Sequence, residues 1–329
     1  RYGGGLPAGA SSFSLHYRGL VDTQPQVSAQ GYARSFAETP GIIDPKGVYL
    51  AGSTLWYPQL VKPVASELMT YSLEVNTPAG WQLIEPGNGV SSGSDGKARW
   101  TTPSAVDEIS LAGGPLVEYS ARTGKIEAQV YLHEADPALA QKYLDATSRY
   151  LRMYSELIGP YPYEKFALVE NFWETGYGMP SYTLLGPQII RFPFILTSSY
   201  PHEILHNWWG NSVYVDYASG NWCEGLTAYL ADHLLKEVEG QGAEYRRDTL
   251  KRYRDFAASS GDFPLREFRS RHSAATAAVG YGKTLMGFHM LRRALGDDLF
   301  RKALARFYKD DRGKRASFAD VRAAFEATS

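Results

Sequence analysis

One short segment, residues 201–206 with the sequence Pro-His-Glu-Ile-Leu-His, limits what this chain can fold into more than any other. His202 and His206 are four residues apart, and Glu203 directly follows the first. On an α-helix, positions i and i+4 lie above one another on one face, so the two imidazoles can bind the same metal ion. Glu203 would then lie beside the open coordination position of that ion. The segment therefore predicts a helix that carries a Zn²⁺ site.

The overall composition is typical of a globular protein and gives no reason to expect nucleic acid or a membrane as a partner. With 44% hydrophobic and 21% charged residues the chain can bury a core, and its 329 residues are enough for two domains. A net charge of −1 does not favour nucleic acid or an anionic membrane as a partner. No apolar run approaches the ~18 residues that a membrane span needs. A single cysteine excludes an internal disulfide.

The first part of the chain has the pattern of β-strands. Residues 13–17 and 70–75 alternate between apolar and polar side chains and are bounded by Gly, Pro and Asn. Residues 117–119 and 126–132 flank a short turn and predict a β-hairpin. No long segment with helical periodicity interrupts these strands. We therefore expect an antiparallel β domain over residues 1–132.

The pattern changes at residues 136–137, where Asp is a favoured N-cap and Pro a favoured first helical residue. The apolar residues that follow keep helical spacing until residues 159–160, which are Gly and Pro. Two strand-like runs, 166–172 and 181–185, come next. This part of the chain is therefore expected to alternate between helix and strand.

The helix with the two histidines is expected to begin at Ser199, its N-cap, and to end at Gly210. From Asn221 onwards, helical patterns dominate. Helices and strands in this order around a metal motif predict an α+β catalytic domain over residues 133–329.

A catalytic zinc site needs a third protein ligand, and Glu224 is the best candidate. It lies in the first turn of a predicted helix whose apolar stripe consists of Leu226, Tyr229, Leu230, Leu234 and Val238. The alternative is that Glu224 only stabilises a helix N-terminus. Asp216 or Asp232 could be the ligand instead.

Other polar residues near the motif have both a structural and a functional interpretation. Three of them could orient the ligand imidazoles, although each could equally be a cap, turn or surface residue: Asn211, Asp216 and Asp232. Cys223 precedes Glu224 on the helix, points elsewhere, and is interpreted as a packing residue. The arginine-rich segments 246–254 and 266–271 could contact a substrate carboxylate, but solvated helix faces are the simpler interpretation.

The motif residues resemble a known family of zinc peptidases. Residues 202–211 followed by Glu224-Gly225 are similar to the zinc motif of the aminopeptidase N family of gluzincin metallopeptidases. Residues 281–283 are similar to that family's Tyr-x-Lys-Gly segment, with Thr284 in place of the final glycine. The resemblance implies that Tyr281 binds the oxyanion of the reaction. The 17 residues between His206 and Glu224 are one fewer than the family usually has.

One departure from the family concerns the substrate's free amine. The family's Gly-x-Met-Glu-Asn segment uses its Glu to hold the α-amine, and Met179 is the residue that aligns with its Met. Pro180 then stands at the position of the Glu, and Ser181 at that of the Asn. Proline cannot bind an ammonium group, so the usual amine anchor is missing. Glu170 or Glu174 could substitute, although both are also explained as structural carboxylates.

The resemblance spans nearly the whole chain and implies an N-terminal antiparallel β domain followed by a thermolysin-like zinc peptidase domain. It implies one Zn²⁺ per chain, peptide substrates, and peptide-bond hydrolysis with Glu203 as general base. An endopeptidase of the same fold and a silent peptide-binding module with structural zinc remain alternatives. The oligomeric state stays open.

Two expectations concern the ends and the location of the chain. Residues 1–12, which include Gly3-Gly4-Gly5, are expected to be a flexible lead-in, and the C-terminal end at Ser329 suggests a truncated catalytic domain. Because similar families are often extracytoplasmic in bacteria, the resemblance favours a periplasmic or secreted location in a bacterium.

Overall fold

The structure is a computed structural model that describes residues 12, 14–27, 37–59, 68–257 and 261–328. Most of the predicted lead-in, residues 1–12, lies outside the described residues. The predicted strand at 13–17 also falls partly outside them, and its described residues, 14–17, form no strand.

Antiparallel strands make up the N-terminal part. Their bounds are β1 Gln26–Val27, β2 Ala37–Glu38, β3 Gly41–Asp44, β4 Gly47–Leu50, β5 Ser72–Asn76, β6 Gln82–Ile84, β7 Asn88–Val90, β8 Lys97–Thr101 and β9 Leu111–Gly114. They form a β1-β2 pair, a sheet of order β3-β4-β9-β6 and a sheet of order β5-β8-β7. Trp100 of β8 is buried between the two larger sheets with Leu50 and Leu83. The predicted antiparallel β architecture is confirmed.

A further sheet, of five strands, supports the candidate site. Its strands are β10 Val117–Thr123, β11 Ile126–Leu132, β12 Lys165–Glu170, β13 Gly176–Met179 and β14 Tyr182–Leu185, in the order β10-β11-β12-β14-β13. The predicted hairpin is β10-β11, and β11 pairs in parallel with β12. The sheet therefore continues across the predicted domain boundary at residue 132. Strand β13 is antiparallel to β14 and forms the edge of the sheet.

The long helix α1, Pro137–Leu157, begins where the sequence predicts and packs on this sheet. The carboxylate of Asp136 accepts a hydrogen bond from the backbone N–H of Leu139, and Pro137 occupies the first helical position. Buried tyrosines on one face, including Tyr143, Tyr150 and Tyr154, fill the space beneath the helix. The apolar face of α1 thereby covers one face of the five-stranded sheet.

Helices form the rest of the described chain. They are α2 Ser199–Leu205, α3 Cys223–Ala228, α4 Leu234–Val238, α5 Gly242–Phe256, α6 Ala274–Ala277, α7 Thr284–Leu295, α8 Asp297–Asp311 and α9 Phe318–Glu326. Tyr229–His233 and Ala278–Lys283 are π-helical turns, and a short parallel pair joins β15 Tyr214–Val215 to β16 Arg315–Ala316. Short 3₁₀ turns occur at Gly52–Thr54, Ile189–Arg191, Pro193–Thr197, Tyr217–Ser219 and Leu265–Glu267. None of the helices in the described ranges is long and apolar enough to cross a membrane.

The helix that carries the two histidines is shorter than predicted. Its N-cap is Ser198 rather than Ser199, so that Ser199 is the first helical residue. The helix ends at Leu205 rather than at Gly210. The backbone N–H groups of Asn207 and Trp208 bond carbonyls three residues back, which tightens the last turn. Gly210 has φ +101, a left-handed value, where the chain reverses.

The predicted α+β class is confirmed, with antiparallel sheets first and a helical C-terminal region after them. The largest core lies between α1, α2 and the C-terminal helices. It is rich in fully buried aromatic residues, among them Trp208, Trp209 and Trp222. This packing holds α2 and α3 against each other.

Candidate metal centre and active site

The structure brings the three predicted metal ligands together. His202 and His206 lie on one face at the end of α2, and Glu224 projects towards them from the first turn of α3. Their nearest donor atoms all lie within 4.8 Å of one another. The Glu224 carboxylate oxygen Oε2 is 3.5 Å from His202 Nε2 and 3.6 Å from His206 Nε2. The one-residue-shorter loop before Glu224 does not prevent this approach.

These distances fit a tetrahedral zinc ion. Donor atoms about 2.1 Å from Zn²⁺ in a tetrahedron are about 3.4 Å from each other, close to the two distances to Glu224. Two imidazole nitrogens and one carboxylate oxygen are also a donor set that zinc uses in hydrolytic enzymes, with a fourth position left open. The residues therefore fit the ion that the sequence motif predicts.

The electrostatics of the three side chains favour a cation between them. Burial lowers the pKa of His202, but the carboxylates of Asp232 and Glu224 outweigh it and raise that pKa to about 10. Burial raises the pKa of Glu224, but the two imidazoles outweigh it and hold that pKa well below its usual range. The site thus stabilises positive charge next to a carboxylate that stays ionised.

Each imidazole is oriented by a contact behind it. His202 Nδ1 is 3.3 Å from the carboxylate of Asp232, and His206 Nδ1 is 3.0 Å from the backbone oxygen of Trp209. Both contacts leave the Nε2 atom directed at the metal position. Asp232 therefore lies behind a ligand and does not belong to the donor cluster. Asp216 instead caps a short turn by accepting from Ala218 N at 3.2 Å.

Cys223 has a closer relation to the site than its interpretation as packing suggests. Its buried thiol sulfur is 3.4 Å from His206 Nδ1, next to the contact with the Trp209 oxygen. The backbone N–H of Asn211 also donates a hydrogen bond to the backbone oxygen of His206, at 3.0 Å. His206 is thus fixed by several groups at the end of α2.

Glu203 lies beside edge strand β13. A Cβ atom added to Gly178 would be 2.5 Å from Glu203 Oε2 and 3.7 Å from His206 Cδ2. The absence of a side chain at residue 178 therefore lets the carboxylate lie against the strand, next to a metal ligand. Gly178 was not among the site residues predicted from the sequence. Its only signal was a glycine within a strand, which often marks a close approach to the backbone.

Tyr281 lies next to the cluster, in the π-helical turn Ala278–Lys283. Its ring is nearly parallel to the His202 ring, with centroids 6.4 Å apart. Burial, followed by the charge of Glu224, raises the pKa of the Tyr281 phenol well above its usual value, so the hydroxyl remains a hydrogen-bond donor. The guanidinium carbon of Arg271 is 5.5 Å from the centre of the ring.

Small residues allow the helices that carry Glu224 and Tyr281 to pack closely against each other. A Cβ atom at Gly225 would be 2.2 Å from Thr284 Cβ and 3.0 Å from the Gly280 oxygen. At Gly280 it would be 2.2 Å from the Phe268 ring. The glycine after Glu224 is thus needed for close packing of the two helices, and Thr284 fills the place of the family's glycine at this contact.

The two carboxylates that could replace the missing amine anchor bind other groups. Glu170 is buried, and its oxygens accept from Arg191 at 2.7 Å and from the backbone N–H of His133 at 2.8 Å. Glu174 accepts from the backbone N–H of Gln188 at 2.8 Å. Pro180 directly follows β13. These contacts support the structural interpretation of both carboxylates.

The arginine-rich segments differ in their relation to the site. In segment 246–254, Arg246 contacts His233 at 2.7 Å and Arg254 forms an exposed pair with Asp255. In segment 266–271, Arg269 donates to backbone oxygens, whereas Arg271 lies over the ring of Tyr281. The interpretation as solvated faces therefore describes neither Arg246 nor Arg271.

Comparisons with known proteins point to one group of peptidases. The model of the peptidase family M1 domain matches residues 196–329. Leucine aminopeptidase 2 of Emericella nidulans is 24% identical over an alignment of 243 residues, which covers 66% of this chain and 35% of that protein. The chain thus spans about a third of the length of this curated relative.

Two solved structures have the same fold. An M1 zinc metallopeptidase from Deinococcus radiodurans matches with a TM-score of 0.69 and 22% identity, covering 92% of this chain and 70% of that one. A mutant of the Deinococcus enzyme bound to a Tyr-Ser-Ala substrate matches with a TM-score of 0.68 and 20% identity, with the same coverage. At these identities the likeness establishes the fold.

The match to the M1 domain model and the shared fold agree with the predicted resemblance to zinc metallopeptidases. The residue roles are not tested by these matches and remain predictions. Residues 196–329 match the model of the peptidase family M1 domain, in a chain that has the fold of the M1 zinc metallopeptidases.

Proposed function

We propose that this protein is a zinc-dependent peptidase that hydrolyses peptide bonds and holds one Zn²⁺ per chain. The observation that carries the proposal is the cluster of His202, His206 and Glu224, with 3.5 and 3.6 Å between the Glu224 oxygen and the imidazole nitrogens. Three protein ligands leave a fourth position for water or substrate, whereas a structural site is closed by four. The M1 domain supports the same activity.

In this proposal each residue of the site has its own role in the reaction. The ion held by His202, His206 and Glu224 would supply a Lewis acid and a water of lowered pKa. Glu203 accepts the proton of the attacking water and returns it to the departing amine. Tyr281, whose raised pKa keeps its hydroxyl protonated, donates a hydrogen bond to the oxyanion. Asp232 and the Trp209 oxygen keep the two imidazoles in place.

Whether the enzyme removes amino-terminal residues depends on the amine anchor. We propose aminopeptidase-like action, which the leucine aminopeptidase relative supports. Two observations favour an alternative, an endopeptidase that needs no free amine. Pro180 stands at the anchor position, and the carboxylates of Glu170 and Glu174 already accept hydrogen bonds from other groups. The tripeptide Tyr-Ser-Ala, the substrate seen in a structural relative, and its N-acetylated form separate the two. Equal hydrolysis rates of both would contradict aminopeptidase action.

Removal and return of the metal test the proposed chemistry. A purified sample should hydrolyse members of a peptide library, lose this activity on chelation, and regain it with one equivalent of Zn²⁺ per chain. Binding of zinc and peptide without any cleavage would instead support a silent peptide-binding module. Location outside the cytoplasm of a bacterium remains a proposal from the family resemblance.

A further inference from the structure

Lys165, the first residue of β12, is a buried lysine that the proposed chemistry does not use. Its side chain is 5% exposed, and its ammonium nitrogen donates to Ser181 Oγ at 2.6 Å, to the Glu85 backbone oxygen at 2.9 Å and to the Ser181 backbone oxygen at 3.4 Å. Burial lowers its pKa to about 7, an effect that the charge of Glu85 opposes. A buried amine is costly unless it is fully hydrogen-bonded. Its position therefore requires an explanation.

The main partner of Lys165 is in a strained turn next to the candidate site. Ser181 lies between β13 and β14 and has φ +67, a left-handed value that non-glycine residues adopt at a cost. Its hydroxyl also accepts from the backbone N–H of Gly87 at 3.3 Å. Gly87 and Glu85 belong to the N-terminal β part, so Lys165 and Ser181 tie that part to the turn.

The turn is connected in its other direction to the end of α2. The backbone N–H of Ser181 donates to Asn207 Oδ1 at 2.8 Å. Asn207 Nδ2 donates to the backbone oxygens of Ile204 at 2.9 Å and Glu203 at 3.4 Å. Asn207 is fully buried. A continuous set of hydrogen bonds thus runs from Lys165 to the backbone of Glu203.

We propose that Lys165 is a positioning residue, which acts through Ser181 and Asn207 to fix edge strand β13 against the Glu203 carboxylate. The close approach of Gly178 to Glu203 leaves little room for movement between strand and helix. Loss of the ammonium contact would free the strained turn at Ser181 and let β13 shift. This inference rests on the proposed peptidase function, because it assigns Glu203 a role in catalysis.

Lys165→Met retains the length of the side chain and removes its hydrogen bonds. We expect kcat per zinc-loaded, folded molecule to fall about 10- to 100-fold, as for a small misplacement of a catalytic group, with KM within about threefold of wild type. Ser181→Ala should act in the same direction. The double variant should lose no more than the stronger single variant, because both substitutions break one link.

Tyr71→Phe is the matched control. It removes a phenol that donates to the Glu85 carboxylate at 2.7 Å, in the same buried region, and that forms no hydrogen bond with Ser181 in the described part of the chain. Its kcat should remain within about twofold of wild type, even if its melting temperature falls. An unchanged kcat in Lys165→Met, or losses that multiply in the double variant, would overturn the proposal.

Amide hydrogen exchange gives a readout that does not need activity. In Lys165→Met, exchange in segments 176–183 and 203–208 should rise at least about tenfold relative to wild type and to Tyr71→Phe. If wild type cleaves no peptide, the proposed function fails, and the exchange result alone decides whether Lys165 holds this turn. Unchanged exchange in both segments would then refute its positioning role.

Discussion

Substitution of Gly178 by alanine tests how closely the Glu203 carboxylate must lie against β13. The new methyl group would be 2.5 Å from Glu203 Oε2. Ordinary carbon–oxygen contacts begin near 3.4 Å, so the carboxylate must move by about 0.9 Å. A misplacement of about 1 Å can cost roughly 10²-fold in rate, or about 2.7 kcal/mol of barrier. The carboxylate is the mobile end of a side chain, so the free energy of unfolding should change little.

The assay is steady-state peptide hydrolysis by zinc-loaded Gly178→Ala, with metal content and urea unfolding measured on the same sample. Gly287→Ala is the control, because a Cβ atom there would meet no atom within 4 Å. That control lies in α7, where alanine is favoured over glycine, and should retain full activity. If Gly178→Ala retains kcat within about threefold of wild type, the carboxylate does not depend on this contact and the reasoning is wrong.

Three further predictions concern other parts of the site and its support. Tyr281→Phe should lower kcat by about 10²- to 10³-fold with unchanged zinc content, since it removes an oxyanion donor; retention of most activity would exclude that role. Asp232→Asn should weaken zinc binding by about 10- to 100-fold in a chelator competition, because Asp232 orients His202, and unchanged affinity would contradict this. Burial raises the pKa of Glu85 to about 8 from 4.5, so the folded state binds more protons than the unfolded state within that range and stability falls as pH rises through it. Glu85→Gln should therefore gain stability relative to wild type between pH 5 and pH 8 in urea unfolding, and a constant difference would contradict the assigned cause.

The sequence predicted the metal cluster because the relevant geometry is local. The i, i+4 spacing of His202 and His206 fixes both imidazoles on one face of a helix turn, even though α2 ends earlier than its pattern suggests. For Glu224 to join the cluster, the first turn of its helix only has to face α2. The Asp136-Pro137 start of α1 was predictable for the same reason, since a cap acts on its own first turn.

The sequence offered Asp232 both as a partner that orients an imidazole and as a metal ligand, and could not decide between these roles because the answer depends on an irregular helix. On a regular α-helix, Asp232 would lie about 80° around the axis from Glu224. The π-helical turn Tyr229–His233 changes this rotation and helps to place the carboxylate behind His202. Hydrophobic periodicity does not reveal such a turn, so the sequence left Asp232 open as a ligand.

Long-range contacts also escaped the sequence analysis. Lys165, Ser181 and Asn207 are far apart in the chain, and no local pattern marks their hydrogen bonds. The strands at 117–132 looked like part of the β domain because their alternation is local. Their parallel pairing with β12, by contrast, depends on the crossover through α1.

The most direct test of the proposed chemistry is turnover of Glu203→Gln compared with wild type, with zinc counted in both. We predict one Zn²⁺ per chain in each protein, cleavage of peptides by wild type, and a loss of about 10²- to 10⁴-fold in the variant, as for removal of a general base. Equal turnover in the two proteins, or no cleavage by either while both bind zinc, would contradict the account.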